Sequence, residues 1–304
     1  MSLDPLSARR PGEARARPAV PAAPHRLALV LGSGGVRSVA ALGIVEQLAR
    51  EGIRCDLVVG CSSGALFGAL VAMGLPGDEA LRRATSLWSD ELTQRHRWGA
   101  WLQVVAPRLA GFDEGFSLRD DRLIAQRLHQ AFGARRIEEL ATPLRIAATD
   151  AVTGASVTLE QGPLVPALRA SIAVPVLFPS VHVGLRRLMD GVVSDPLPLA
   201  AAADAQAVIA LGFRGAMPRR IDRPSRLVAR TGTALINNLM QARLDAARAS
   251  GQRIVSIDLM LERPVGLWQT DALPYLYEAG RRAAQARLDD IAALLGADAR
   301  RAAA

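Results

Sequence analysis

Ser62 sits in Gly60-Cys61-Ser62-Ser63-Gly64, a pentapeptide that follows the apolar run Cys55 to Val59 and precedes a segment with helical composition through about Met73. A hydroxyl is a poor nucleophile at neutral pH. An enzyme that uses one must hold the oxygen where a base can reach it and where backbone N–H groups face the charge developing on the attacked carbonyl. A sharp strand-to-helix turn does both. The flanking glycines, Gly60 and Gly64, relieve crowding around a strained serine, and the helix N-terminus favours nearby negative charge. The G-x-S-x-G pattern in this context marks Ser62 as the candidate nucleophile of an acyl transfer rather than an ordinary turn residue or cap. Ser63 occupies the x position and is expected to point into the helix.

A second glycine turn, Gly32-Ser33-Gly34-Gly35, ends the apolar run Arg26 to Leu31 and opens another helical pattern from Val39 to Leu48. The dinucleotide fingerprint G-x-G-x-x-G fails there, because its third glycine is Arg37 and a bulky side chain obstructs close helix–strand packing. A phosphate loop fails for want of its lysine. What remains is a run of unhindered N–H groups at a helix start, suited to an oxyanion. On this reading Gly34 and Gly35 donate their amides, Gly32 supports the turn, and Arg37 steadies the loop or adds positive potential. Without the companion serine motif the same turn would be read as a helix cap.

The base must come from elsewhere. In the common α/β-hydrolase order an acid and then a histidine follow the serine. The last histidine here is His182, inside the strand-like run Ser180 to Val183 where solvation is expected; His25 abuts the N-terminal segment, and His96 and His129 lie in the middle of the chain. A histidine triad is therefore the minor reading. A carboxylate acting directly on the serine needs an Asp in a glycine turn after a strand, and Met189-Asp190-Gly191 after Leu185 to Met189 supplies one, with Gly191 supporting. Asp195, before Pro196, suits helix capping better. Asp150, after the run Leu144 to Thr149, reads as a turn residue.

Taken together these motifs resemble the patatin-like phospholipases, whose members carry a glycine-rich oxyanion turn with a basic residue, a G-x-S-x-G serine and a later Asp-Gly. The matching positions are Gly32 to Ser38, Gly60 to Gly64 and Asp190-Gly191. Phe116-Ser117-Leu118-Arg119, Ala148-Thr149-Asp150, Ala170 to Pro175 and Phe178-Pro179 are similar to the family's bacterial members, so the resemblance spans about residues 26–212. It implies a Ser–Asp dyad of Ser62 and Asp190 without histidine, an oxyanion held by Gly34 and Gly35 with Arg37 nearby, and a lipid or other acyl-ester substrate. Ser33 and Ser38 stand where the family usually has glycine, and Val192 where a small residue is frequent. A non-catalytic lipid-binding or regulatory protein that kept the pocket is the alternative those departures raise.

Two successive strand–turn–helix units imply a mainly parallel sheet, and the expectation is a three-layer α/β/α fold with patatin-like organisation. Further strands are expected at Leu144 to Ala148, Ser156 to Leu159, Val181 to Val183, Ala207 to Leu211 and Ile254 to Leu259. Helices are expected at 163–172, 196–203, about 224–250 and about 272–295, the last amphipathic and closing against the sheet. Residues 76–133 read as helical but irregular. Residues 1–24, rich in Pro, Ala and Arg, read as a disordered leader, and 25–298 as a single hydrolase domain.

All 37 basic residues are arginine, which excludes a lysine Schiff base, a phosphate-loop lysine and a Ser-Lys dyad. The formal net charge of +8 admits anionic surfaces of either nucleic acid or membrane; the acyl-ester chemistry favours peripheral contact with anionic membrane, and no nucleic acid is expected. Two cysteines, Cys55 and Cys61, suggest neither a disulfide framework nor a zinc cluster, so the cytoplasm is the expected compartment, at most peripheral to the inner face of a membrane. The dyad chemistry calls for no metal and no organic cofactor. The stretch 88–115, with Trp88, Trp98 and Trp101, is a candidate lid or interfacial segment. Oligomeric state, acyl length and headgroup are not legible.

Overall fold

The computed structural model describes residues 25–88, 100, 103, 105–217 and 220–301. The segment 1–24, His96, Trp98 and Trp101 lie outside the described residues. Three apolar runs form central strands that are buried at every position: β1 (Leu27–Leu31), β2 (Leu57–Cys61) and β7 (Ala207–Leu211). Continuous apolar composition is what a strand covered on both faces requires. With β3 (Leu144–Asp150) and β8 (Ile254–Ile257) they make a parallel block in the order β3-β2-β1-β7-β8. Three antiparallel strands extend it: β4 (Ser156–Leu159) and β6 (Arg186–Asp190) pair with β3, and β5 (Val181–Val183) pairs with β6.

The registers along β3 position the chemistry. β4 pairs with residues 146–149 of β3 and so occupies one edge; β2 pairs with 144–147 and β6 with 148–150, both overlapping β4, so both lie on the other edge. β2 runs with β3 and ends with Cys61 opposite Ala147. β6 runs against it and ends with Asp190 opposite Ala148. Their C-terminal ends therefore meet head-on at neighbouring residues of one strand.

Alternate residues of the sheet feed two cores. Leu27, Leu29, Leu31, Val58, Ile146 and Ile209 face a layer built from α1 (Ala40–Arg50), α2 (Ser63–Ala72), α3 (Gly77–Leu87), α4 (Arg122–Phe132), α5 (Leu164–Ser171) and α7 (Leu273–Gln285). Ala28, Val30, Leu57, Val59 and Val208 face Leu197, Leu199 and the buried Met240 and Ala247 of α6 (Pro224–Ala249). This is the expected three-layer arrangement. At about 1.5–3 kcal/mol for each large aliphatic side chain removed from water, the two cores dominate the favourable side of folding.

Several boundaries differ from expectation for identifiable reasons. The helix expected at 196–203 is a short 3-10 turn, Leu199–Ala202, because Pro196 and Pro198 bias the residues before them toward extended backbone. Within the irregular region 76–133 the described residues form α3 and α4, with helical residues at 100, 103 and 105 and turns and irregular backbone over 106–121. The helix expected at about 272–295 is two, α7 and α8 (Leu288–Arg301); nothing in the local sequence marks the break. α7 covers α1 rather than the sheet, while α8 packs against β7 and β8 as expected of the C-terminal segment. A Cβ at Gly43 would stand 2.0 Å from the Tyr277 carbonyl oxygen, and one at Gly280 2.1 Å from that of Ala40, so the two backbones approach where neither carries a side chain.

Candidate active site

Ser62 lies between β2 and α2 with φ 57° and ψ −127°, a region costly for any residue with a Cβ. Its flanking glycines are needed by contact. A Cβ at Gly60 would fall 2.4 Å from Ala65 Cα, and one at Gly64 2.4 Å from the Leu31 carbonyl oxygen. The turn is tight because α2 starts immediately: Ala65 and Leu66 both donate to the Ser62 carbonyl. The Ser63 and Gly64 amides, in the first helical turn, have no intrahelical acceptor.

Asp190 ends β6 and is fully buried. Ser62 Oγ donates to its Oδ2 at 2.8 Å, and the Val192 amide donates to its Oδ1 at 2.8 Å. Burial raises the carboxyl to about 7, with those two hydrogen bonds opposing the rise. Its backbone is tied down as well: its N–H donates to the Ala173 carbonyl at 2.9 Å, and Thr149 Oγ1 donates to its carbonyl at 2.9 Å. Gly191 must be glycine, since a Cβ there would stand 2.7 Å from the Ala147 carbonyl oxygen and 3.0 Å from Cys61 Sγ. Val192 is half-buried beside the pair.

A third residue joins the pair that the motif reading did not assign a role. Ser171, at the end of α5, accepts the Ser62 amide at 2.9 Å and donates to the Ala147 carbonyl at 2.6 Å. One hydroxyl thus links the amide of the turn serine to β3. The only sequence signal was its place in the stretch Ala170 to Pro175.

The first glycine turn lies against the second, with one difference from expectation. The Gly34 amide, read as an oxyanion donor, donates to Ser63 Oγ at 3.1 Å. Ser63 Oγ lies 2.9 Å from Ser38 Oγ, and Ser38 Oγ donates to the Gly32 carbonyl at 3.4 Å. Each hydroxyl has one proton, so the relay runs from Gly34 through Ser63 and Ser38 to Gly32. Ser63, expected to point into its helix, turns instead across to the first glycine turn, where Ser38 receives it. The Gly35 amide takes no part in this relay. It shares a planar trans peptide with the Gly34 carbonyl, which Arg37 Nε holds at 3.2 Å on the opposite side. Arg37 also stacks on Phe213, 5.2 Å from the ring centroid, and donates to the Arg214 carbonyl at 3.2 Å. It therefore fixes a peptide plane. Gly35 has φ 60°, and a Cβ on it would lie 2.3 Å from the Leu267 carbonyl oxygen; Gly32 donates to Leu211 and Ser33 to Pro196.

Ser33, Gly34, Gly35, Arg37, Ser62 and Asp190 line one cavity of about 330 Å³. Its remaining wall is largely apolar, from Leu66 on α2, Leu87 and Trp88 at the end of α3, Ile124 and Leu128 on α4, and the loop residues Ile172, Val174 and Phe178. Trp88 stacks on Trp268, with centroids 5.4 Å apart and planes 9° apart. Trp268 belongs to the lining and had no signal in the sequence.

The rival residues are displaced. His182 is exposed on β5, His129 is exposed on α4, and His25 lies 3.9 Å from Asp56; among the described residues no histidine lines the cavity. Asp150 accepts the Val152 and Thr153 amides in a turn. Asp195 starts no helix; it is buried with Oδ1 3.3 Å from Arg243 Nε, and burial raises it to about 6 against the opposing charge of Arg243. Cys61 is buried, and burial followed by the charges of Asp190 and Asp195 pushes its thiol well above the usual range, so it stays protonated. Among the described residues no group of three or more His, Cys, Asp or Glu could hold a metal, and no helix is long and apolar enough to cross a membrane.

The family model described as Patatin-like phospholipase matches residues 29–203, more than half of the chain. An uncharacterized NTE family protein of Mycobacterium tuberculosis is 34% identical over 192 residues, covering 62% of this chain and 49% of its own. Patatin-like phospholipase domain-containing protein 6 of Mus musculus is 29% identical over 195 residues, 62% of this chain and 13% of its own. The chain spans about half the length of the mycobacterial relatives it matches. The crystal structure of VipD from Legionella pneumophila has a TM-score of 0.45 and 13% identity, over 86% of this chain and 67% of that one.

Proposed function

The chain belongs to the patatin-like phospholipase family, and from that premise we propose that it is a serine acyl hydrolase that cleaves lipid acyl esters, of phospholipase A or lysophospholipase type. The observation that carries the reading is the 2.8 Å hydrogen bond from a backbone-strained serine hydroxyl to a buried carboxylate raised to about 7. A base with that affinity is half ionised at neutral pH and can take the hydroxyl proton as the oxygen attacks.

In the first half-reaction Ser62 Oγ bonds to the ester carbonyl carbon while its proton moves to Asp190 Oδ2. The carbonyl π electrons move to oxygen, where the Gly35 amide and the first-turn amides of α2 receive the charge. Collapse expels the alcohol, which leaves with the proton from Asp190, and an acyl group stays on Ser62. Water then attacks, giving its proton to Asp190; the free acid departs and the proton returns to Ser62. Arg37 and Ser171 position the donors and the nucleophile. The apolar wall suits an acyl chain. The hydrolase unit is assigned to residues 25–298.

The engaged Gly34 amide favours one alternative, a lipid-binding protein that kept the pocket without turnover. Incubation with a fluorophosphonate probe and with p-nitrophenyl esters of several chain lengths, beside Ser62→Ala and Asp190→Asn, separates the two. Hydrolysis and labelling that both vanish in Ser62→Ala support the enzyme; absence of both from the wild type removes it.

A further inference from the structure

Among the described residues, one side of α6 has no partner. Leu227, Val228 and Leu235 fall at i, i+1 and i+8, hence on one side of the helix, and they are exposed at 52%, 72% and 65%. Met217 and Ile221, just before the helix, are exposed too. The opposite side does different work: Thr233, Ile236 and Asn237 line the cavity. α6 therefore stands as a wall, with the cavity on one side and an apolar stripe in water on the other.

Charge accompanies the stripe. From Phe213 to Ile236 the sequence holds six arginines against one acid, Asp222. Asp222 is shared between Arg226 at 2.7 Å and Arg223 at 3.9 Å, while Arg220 and Arg230 are exposed.

We infer that this side of α6 docks on a bilayer bearing anionic lipid. A second copy of the chain fits poorly, because self-association would bring two arginine-rich stripes together. An anionic bilayer meets both features at once: the aliphatic side chains enter the acyl boundary and the guanidinium groups stay among the phosphates. The helix then lies in the interface, with the cavity about one helix diameter, roughly 10 Å, from it. This rests on the lipid-hydrolase reading and deepens it, since the substrate would be drawn from a membrane rather than from solution.

The test is flotation of the full chain with phosphatidylcholine vesicles, with and without phosphatidylglycerol. Wild type, Leu227→Asp/Val228→Asp and Arg223→Gln/Arg230→Gln are compared, with circular dichroism to confirm folding. The wild type is expected to partition onto the anionic vesicles only. The double arginine variant should lose roughly thirtyfold in partitioning at low salt, and the double Asp variant should not float. Hydrolysis of a water-soluble short-chain ester should be unchanged in both. Partitioning that is equal in the variants, or equal on vesicles lacking phosphatidylglycerol, overturns the inference. So does a concentration-dependent dimer that Leu227→Asp/Val228→Asp makes monomeric. Should the wild type lack esterase activity, the proposed reaction falls, while the flotation result still decides the docking surface.

Discussion

Ser62 and Asp190 stand 128 residues apart in the chain, yet their side chains meet at 2.8 Å because β2 and β6 end head-on along one edge of β3. Sheet register sets the approach, because Cys61, the residue before Ser62, stands opposite Ala147 and Asp190 stands opposite Ala148; the tight turn at Ser62 then carries its hydroxyl to the carboxylate. A pair held by strand ends keeps its geometry while the loops around it vary, which is what a positioned nucleophile and base require.

The pair predicts a pH profile. Asp190 must be ionised to accept a proton, and burial raises it to about 7, so kcat/KM on a neutral ester should rise with pH and level off above an inflection near 7. Asp190→Asn should lower kcat by about 10²–10⁴ and abolish that inflection. Stopped kinetics from acid to mildly alkaline buffer check both. A full rate in Asp190→Asn would remove the carboxylate from the chemistry.

The same burial has a stability consequence of definite sign. In the unfolded chain the carboxyl ionises near 3.9; in the folded chain it holds its proton up to about 7. Between those values the unfolded state loses the proton first, so the contribution of Asp190 is fully present in acid and is lost as pH rises through 7. Asn carries no such penalty and can still accept the Val192 amide. Asp190→Asn should therefore gain on the wild type by on the order of 2–4 kcal/mol between about pH 4 and pH 7, and by no more above that. Thermal unfolding of the two proteins across that range gives the answer, and a constant difference would mean the carboxyl is not raised.

Ser171 should matter for both rate and stability although it touches no substrate. Its hydroxyl accepts the Ser62 amide and donates to the Ala147 carbonyl. Ser171→Ala leaves both buried groups unpaired, which costs about 1–3 kcal/mol. The freed turn should also lower kcat roughly tenfold with little change in KM. Ser171→Thr, which keeps the hydroxyl, should recover part of the loss; equal damage from both substitutions would reduce Ser171 to a packing residue.

The relay from Gly34 through Ser63 and Ser38 to Gly32 ties the two glycine turns together. Ser63→Ala deletes its centre and leaves the Gly34 amide buried without an acceptor, at about 1–2 kcal/mol. With the turn no longer fixed, kcat should fall about tenfold while KM for a short ester stays constant. Ser38→Ala should do less, because Ser63 can still accept from Gly34. Identical rates in the wild type and Ser63→Ala would show that the relay does not hold the oxyanion donors.

Much of this arrangement was legible from residues. Ser62, Asp190 and the two glycine turns announce themselves because strained and crowded backbone demands glycine at fixed offsets, as at Gly60, Gly64 and Gly191. The central strands are legible because full burial demands unbroken apolar runs. The role of Ser171 was hidden, since a hydroxyl that bridges a helix end to a distant strand leaves no periodic trace. The engagement of Gly34 was hidden too: it depends on Ser63 turning toward Ser38, 25 residues away. The 3-10 turn at Leu199–Ala202 shows a third limit, where two prolines overrode an apolar run of helix formers.

Trp268 offers the most direct handle on what the cavity accepts. It stacks on Trp88, which in turn lies 6.1 Å from Phe67, and it is 37% exposed at the cavity wall. Removing it deletes one partner of an aromatic pair worth about 0.5–1.5 kcal/mol beyond its buried area, and it widens the space beside Ser62 without touching the serine, the carboxylate or the glycine turns. Trp268→Ala should therefore leave the rate on a two-carbon acyl ester near that of the wild type and raise the relative rate on long acyl chains several-fold. A series of p-nitrophenyl esters reads the ratio directly. If the chain-length preference stays fixed while the protein remains folded, the acyl chain does not run along the Trp88–Trp268 wall, and the loop side formed by Ile172, Val174 and Phe178 becomes the surface to substitute.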